Sequence, residues 1–124
     1  MHALGQHRLV EYYECNADIL NDEVRVREIL LEAVRRAKAT IVADVFHTFS
    51  PHGVSGVVVI AESHVAIHTW PEYGYAAVDI FTCSKSVASA SIQDYLKTRF
   101  ESKRTVSESL ERGILTAKSE VTVK

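Results

Sequence analysis

Cysteine is scarce in this sequence, and long apolar runs are absent. Only Cys15 and Cys83 occur among 124 residues, too few for a disulfide framework, so both are expected to be free thiols in a reducing compartment. No apolar stretch approaches the roughly 20 residues that a membrane-spanning helix needs. The N-terminal segment contains Gln6, His7 and Arg8 where a signal peptide would be apolar. We therefore expect a cytoplasmic protein that does not associate with a membrane.

The sequence also lacks the excess of positive charge that nucleic-acid-binding proteins usually carry. Its 14 Lys and Arg residues are outnumbered by 16 Asp and Glu residues, which gives a formal net charge of -2. The basic residues are scattered, apart from short groups at 35–38 and 103–104. This distribution forms no stripe that could follow a phosphate backbone, which argues against nucleic acid as the main partner.

The length fits a single domain that spans residues 1–124. Apolar residues recur at helical spacing in two segments, whereas the others alternate or are rich in β-branched residues, as strands are. The predicted helices cover 22–37 and 87–100, and the predicted strands cover 4–15, 40–49, 56–61, 65–70, 75–83 and 103–110. Asn21 is predicted to cap the first helix. A tail or an edge strand is expected for residues 114–124.

Runs of adjacent strands between two helices indicate an α+β fold. We expect a two-layer sandwich, in which a mainly antiparallel sheet carries both helices on one face. The other face of such a sheet has no cover within a chain of this length. Self-association would bury the apolar residues on that face, so the sequence predicts a homodimer, and a site shared between the protomers is one option.

One stretch, from Ile60 to Cys83, concentrates groups that transfer protons or attack carbonyls. Ser63 lies at a step between two predicted strands, where a serine could simply hydrogen-bond its own backbone. A nucleophilic hydroxyl would need a base, and His64 and His68 are close in sequence. No Gly-x-Ser-x-Gly motif surrounds the serine, which argues against an α/β-hydrolase. The two histidines are spaced to converge on a helix but not on a strand, and no zinc motif occurs, so no metal is expected.

Several motifs in and near this stretch resemble those of one family, the short prokaryotic S-adenosylmethionine decarboxylase proenzymes. They are Ala61-Glu-Ser-His, Ile67-His-Thr-Trp-Pro-Glu-Tyr-Gly-Tyr-Ala and Asp79-Ile-Phe-Thr-Cys. Pro51-His-Gly-Val-Ser-Gly and Leu4-Gly-x-His match as well, so the resemblance covers about residues 4–112. One departure is Leu110, which stands where members of the family often have histidine.

The resemblance implies that Ser63 is a site of self-cleavage. Its hydroxyl would attack the carbonyl of Glu62, and elimination from the resulting ester would split the chain into 1–62 and 63–124. The second fragment would begin with a pyruvoyl group, the cofactor, which forms a Schiff base with the substrate amine and acts as the electron sink. By resemblance, His68 is the processing base, on a strand expected to pair with that of Ser63, and Cys83 is the proton donor of decarboxylation.

The resemblance also implies a substrate, S-adenosylmethionine, whose decarboxylated product enters spermidine synthesis. Glu72 is the candidate to accept hydrogen bonds from the ribose diol. Phe49 and Trp70 are candidates to stack on adenine or to face the sulfonium cation. Ser55, in a family motif, is a candidate to hold the substrate or the processing intermediate. Two alternatives stay open: a pyruvoyl-dependent arginine decarboxylase of the same family, and a non-catalytic member that activates a partner enzyme.

Overall fold

The structure, a computed structural model, describes residues 2–116. Its strands are β1 (His2–Tyr13), β2 (Ile41–Thr48), β3 (Val54–Ile60), β4 (Ser63–Trp70), β5 (Tyr75–Thr82) and β6 (Arg104–Leu115). Its helices are α1 (Ala17–Leu20), α2 (Glu23–Arg36) and α3 (Ser89–Arg99), and a short 3-10 helix covers Pro71–Tyr73. Within this described part of the chain, no helix combines the length and the apolar character needed to cross a membrane.

The six strands form one sheet in the order β2-β3-β4-β5-β1-β6. Every neighbouring pair is antiparallel. Alternate residues of the central strands are buried beneath α2 and α3, as the burial pattern along β5 shows. Both long helices bury their apolar stripes in this same core. The α+β sandwich expected from the sequence is therefore confirmed, with the sheet wholly antiparallel in the described residues.

The start of α2 differs from the prediction by one residue. Asp22 is the N-cap, and its carboxylate accepts a hydrogen bond from the backbone N–H of Arg25 at 3.1 Å. Asn21 cannot take this role, because its side chain accepts the backbone N–H of Gly53 at 3.0 Å. It ends α1 instead, a single turn capped by Asn16. A helix this short leaves no apolar periodicity in the sequence, and so it was not predicted.

The last strand is longer than predicted. It pairs with β1 from Arg104 to Leu115, so that Ile114 lies within it and not in a separate tail. The apolar pattern of the sequence ends earlier, but β1 continues to offer backbone donors and acceptors along its length, and the pairing follows β1. Residues 117–124, the rest of the segment predicted as a tail or an edge strand, lie outside the described residues.

The face of the sheet opposite the helices is uncovered in the single chain, and we call it the open face. Alternation along the strands places polar and apolar side chains together on it. The exposed large apolar side chains of this face include Leu9, Val45, Val59, Val106 and Leu110. An apolar surface of this kind, rimmed by polar groups, is typical of an interaction surface.

Thr69 connects the sheet to the α1 segment on the buried side. Its hydroxyl accepts the backbone N–H of Val54 and donates to the carbonyl of Leu20, both at 2.8 Å. The Thr69 side chain is buried, so neither backbone group has water as an alternative partner. A single hydroxyl thus fixes β4, β3 and the end of α1 to one another.

Candidate active site

Ser63 begins β4 directly after the turn that leaves β3. It pairs with Ile60 on one side and with Thr82 on the other. Its φ angle is 148°, a value that is almost confined to glycine and that costs a residue with a side chain on the order of 1–3 kcal/mol. The ladders on both sides hold this conformation in place. The peptide bond that precedes Ser63 is therefore attached to a strained residue.

The carbonyl of Glu62 belongs to that same peptide bond and accepts two hydrogen bonds. The backbone N–H of Cys83 donates to it at 2.9 Å, and the thiol of Cys83 donates at 3.3 Å. Fixed donors aimed at a carbonyl oxygen polarise its carbon and stabilise the negative charge that develops when a nucleophile attacks. The Glu62 side chain is held as well, since Oε1 accepts the N–H of Thr40 at 3.1 Å. We call Glu62, Ser63 and Cys83 the cleavage end.

The other candidate residues meet at the opposite end of β4. A cavity of about 320 Å³ is lined there by Phe49, His52, Ser55, His68, Trp70 and Glu72, among others, and we call it the aromatic cavity. The ring Nδ1 of His68 lies 2.7 Å from the hydroxyl of Ser55. The ring of Trp70 stacks on that of Tyr75 with the centroids 5.3 Å apart. Four of the sequence-based candidates for substrate binding thus share one concave surface with the candidate base.

His68 and Ser63 do not meet within one chain. Both lie on β4, so the expectation that His68 lies on a strand paired with that of Ser63 is wrong. At about 3.3 Å per residue, five residues along a strand separate their Cα atoms by about 16 Å. The structure therefore divides the candidate residues into two groups, the cleavage end and the aromatic cavity, at opposite ends of one strand.

A third group of polar side chains lies between them and was not predicted. On the open face, Asp79 Oδ1 lies 2.6 Å from Nε2 of His64 and 3.1 Å from Nε2 of His7. Nδ1 of His7 faces the guanidinium of Arg112 at 3.0 Å. Because arginine can only donate, Nδ1 of His7 is an acceptor and Nε2 carries the hydrogen directed at Asp79. The three contacts of the network are thus hydrogen bonds that form without a metal ion.

The ligand atoms of His7, His64 and Asp79 nevertheless lie within 4.8 Å of one another, close enough for a metal ion. The three residues are on β1, β4 and β5, which are adjacent in the sheet although distant in sequence. A prediction of this cluster would have required the strand order and the register of the sheet. Their position next to Ser63, through His64, connects the network to the cleavage end.

A family model described as S-adenosylmethionine decarboxylase matches residues 6–113. The chain belongs to the S-adenosylmethionine decarboxylase family. The matched span contains the cleavage end, the aromatic cavity and the network between them.

Individual members of the S-adenosylmethionine decarboxylase family are similar over almost the whole chain. The S-adenosylmethionine decarboxylase proenzyme of Thermodesulfovibrio yellowstonii is 48% identical over 120 residues, which cover 97% of this chain and 89% of the relative. That of Pelotomaculum thermopropionicum is 52% identical over 115 residues, which cover 93% and 91%. The crystal structure of the adenosylmethionine decarboxylase from Aquifex aeolicus VF5 superposes with a TM-score of 0.87 at 38% identity, covering 98% of this chain and 100% of that one.

Proposed function

We propose that this member of the family is a self-processing, pyruvoyl-dependent S-adenosylmethionine decarboxylase of the cytoplasm, which supplies decarboxylated S-adenosylmethionine and CO2 for spermidine synthesis. One observation carries the proposal. The carbonyl of Glu62 is held by two donors from Cys83, immediately before the strained Ser63. A structural turn has no need to polarise this carbonyl.

The first step of processing would use groups that are already in place. The Ser63 hydroxyl attacks the polarised carbonyl carbon of Glu62, and the C–N bond gives way to an ester. Removal of the Ser63 Cα proton by the candidate base, His68, would then break the Cβ–O bond and release fragment 1–62 with a carboxylate at Glu62. Water adds to the remaining dehydroalanine and ammonia leaves, which makes the pyruvoyl group at the start of fragment 63–124. Loss of the C–N bond also removes the strain, because φ of residue 63 no longer exists.

The residues at the cleavage end fit such a group. Once formed, the pyruvoyl group would supply the ketone through which the substrate's electrons are withdrawn during decarboxylation. The Cys83 side chain is exposed and its sulfur lies 3.3 Å from the carbonyl oxygen of the bond that is cut. A thiol at this position could return a proton to the substrate carbon.

The aromatic cavity has the chemistry to hold the nucleoside. Phe49 and Trp70 offer aromatic faces to adenine or to a sulfonium cation, and both are partly exposed in the free chain. The carboxylate of Glu72 can accept from ribose hydroxyls. A cavity of about 320 Å³ lies at the lower end of the range for small-molecule sites.

A homodimer would reunite the two groups of residues. The open face exposes apolar side chains, and a two-fold axis that crosses the strands reverses their direction between the protomers. Face-to-face packing about such an axis puts the cleavage end of one protomer against the aromatic cavity of the other. The 16 Å or so between Ser63 and His68 in one chain supports this shared arrangement.

The first test is denaturing mass spectrometry of the purified protein. Wild type should give two fragments divided before Ser63, the second lighter by one ammonia than a fragment that begins with serine. Ser63→Ala should stay intact. The processed protein should release CO2 from carboxyl-labelled S-adenosylmethionine and not from arginine. A wild-type chain that stays whole after long incubation contradicts self-processing, and preference for arginine contradicts the substrate.

The second test is complementation between two inactive variants. Ser63→Ala removes the cleavage nucleophile and His68→Ala removes the candidate base. When the two are co-expressed, a mixed dimer contains one site with both residues intact, so cleavage and activity should return to a substantial fraction of the wild-type level. If the sites are not shared, the mixture stays as inactive as either variant alone.

A further inference from the structure

A contact between the side chains of His52 and Glu72, which no proposed role yet uses, lies inside the aromatic cavity. Nε2 of His52 is 3.0 Å from Oε2 of Glu72, and the two side chains are 36% and 37% exposed. Both line the cavity beside Phe49 and Trp70. The pair is thus in reach of anything bound there, and it engages the residue that is the candidate for ribose recognition.

The backbone around each partner is fixed. His52 is in the loop after β2, which is closed by a hydrogen bond of 2.8 Å from the N–H of Phe49 to the carbonyl of Gly53. That loop is tied to α1 through Asn21. Glu72 is in the 3-10 helix, whose end is closed by the N–H of Gly74 on the carbonyl of Pro71 at 3.0 Å. The side chains therefore meet between two anchored segments.

The contact with His52 determines which oxygen of the Glu72 carboxylate is available to a ligand, and in which orientation. A glutamate has three side-chain torsions, and an unrestrained one would have to be ordered whenever a ligand binds. His52 takes one carboxylate oxygen and sets the plane of the group, which leaves Oε1 as the free acceptor in a fixed direction. Ordering a side chain before binding removes that cost from the affinity.

We propose that His52 is a positioning residue for nucleoside recognition: it holds the Glu72 carboxylate in the orientation that accepts hydrogen bonds from the 2′- and 3′-hydroxyls of the substrate ribose. This inference rests on the proposed function and extends it to a residue that acts through Glu72. A purely structural contact, one that only ties the loop after β2 to the 3-10 helix, would alter folding and processing and would not alter the choice of ligand.

The test compares His52→Leu, which removes the donor, with His52→Gln, which keeps a donor at a similar reach. Processing measured by mass spectrometry should match wild type in both, since the proposed role of His52 is confined to the carboxylate of Glu72. For S-adenosylmethionine, the KM of His52→Leu should rise about threefold to tenfold, equivalent to the ordering of one side chain, with kcat nearly unchanged. His52→Gln should recover most of the loss. Glu32→Gln, which removes the exposed Glu32–Arg36 ion pair of α2, is the matched control and should leave KM unchanged.

Two further measurements separate positioning from structure. In wild type, the KM for the 2′-deoxy counterpart of S-adenosylmethionine should be higher than the KM for S-adenosylmethionine, and His52→Leu should lose most of this difference. In a Glu72→Gln background, His52→Leu should have no additional effect on KM. Three results would each overturn the role of His52 while leaving the proposed function intact. They are an unchanged KM in His52→Leu, an unchanged ribose preference in that variant, and additive effects of His52→Leu and Glu72→Gln on KM. Failure of the wild-type protein to decarboxylate S-adenosylmethionine would instead overturn the proposed function and, with it, this inference.

Discussion

The strain at Ser63 can be measured directly by comparing two variants that cannot be cleaved. Ser63→Ala keeps a Cβ at a φ angle of 148°, whereas Ser63→Gly removes it. Neither variant has the hydroxyl, so both stay as whole precursors and differ only in whether the backbone angle is strained. The glycine variant should therefore be the more stable of the two, the opposite of the usual order in a strand.

The expected difference follows from two opposing terms. Relief of the unfavourable angle contributes on the order of 1–3 kcal/mol. The greater freedom of glycine in the unfolded chain subtracts about 0.4–1 kcal/mol. Taking the middle of each range, the net advantage of Ser63→Gly should be about 1.3 kcal/mol in the free energy of unfolding, which urea denaturation of the two purified precursors can resolve.

Ser109 provides the matched control. It is an exposed serine of β6, paired with Arg8 of β1, and no positive φ occurs there. At this position alanine should be more stable than glycine by about 0.5–1 kcal/mol, so the sign reverses between the two sites. If Ser63→Ala proves as stable as Ser63→Gly or more so, the bond before Ser63 is not under strain and the contribution of strain to cleavage is refuted.

Three further predictions concern other side chains. Thr69→Val should lower the free energy of unfolding by about 2–4 kcal/mol, because it leaves a buried N–H and a buried carbonyl unpaired; a loss under about 0.5 kcal/mol in urea denaturation would contradict this. Gly56→Ala should destabilise by about 1–3 kcal/mol, because an added Cβ would lie 2.0 Å from the ring of Phe46. Adding Phe46→Leu to that variant should recover part of the loss, and no recovery would show that the ring is not the obstacle. Iodoacetamide at about pH 8 should label exposed Cys83 before Cys15. Burial raises the pKa of the Cys15 thiol to about 11, which leaves about a thousandth of it as thiolate at that pH. Equal labelling rates in peptide mapping would refute the raised pKa of Cys15.

Most elements of the fold could be predicted because their signals are local. β4 and β5 alternate buried and less buried residues, and α2 repeats its apolar residues every three or four positions, so each reports its own conformation. Two features depend on partners elsewhere in the chain. The extent of β6 is set by β1, and the cap of α2 is Asp22 because Asn21 is already bonded to Gly53. The local sequence of β6 does not show its pairing with β1, and the local sequence around Asn21 does not show its bond to Gly53.

The candidate site shows the same division. The resemblance to the family identified Ser63, His68 and Cys83 as the chemical residues, and these roles stay predictions. The separation of Ser63 from His68 depends on β4 beginning at Ser63, whereas the predicted strand began at residue 65 and left Ser63 in the step before it. The network around Asp79 could not be derived from the sequence, because His7 and His64 reach it only through the register of β1 and β4 with β5.

After cleavage at residue 62, the sheet could refold only by association of two separate chains, because of its strand order. Fragment 1–62 contributes β1, β2 and β3, and fragment 63–124 contributes β4, β5 and β6. In the order β2-β3-β4-β5-β1-β6 the two fragments are interleaved, so that three of the five ladders join one fragment to the other. The precursor folds as one molecule, but a mature enzyme that had unfolded would need two separate chains to meet, and its recovery would depend on protein concentration. An unbroken chain would thus be needed only for the first folding of the sheet, before cleavage.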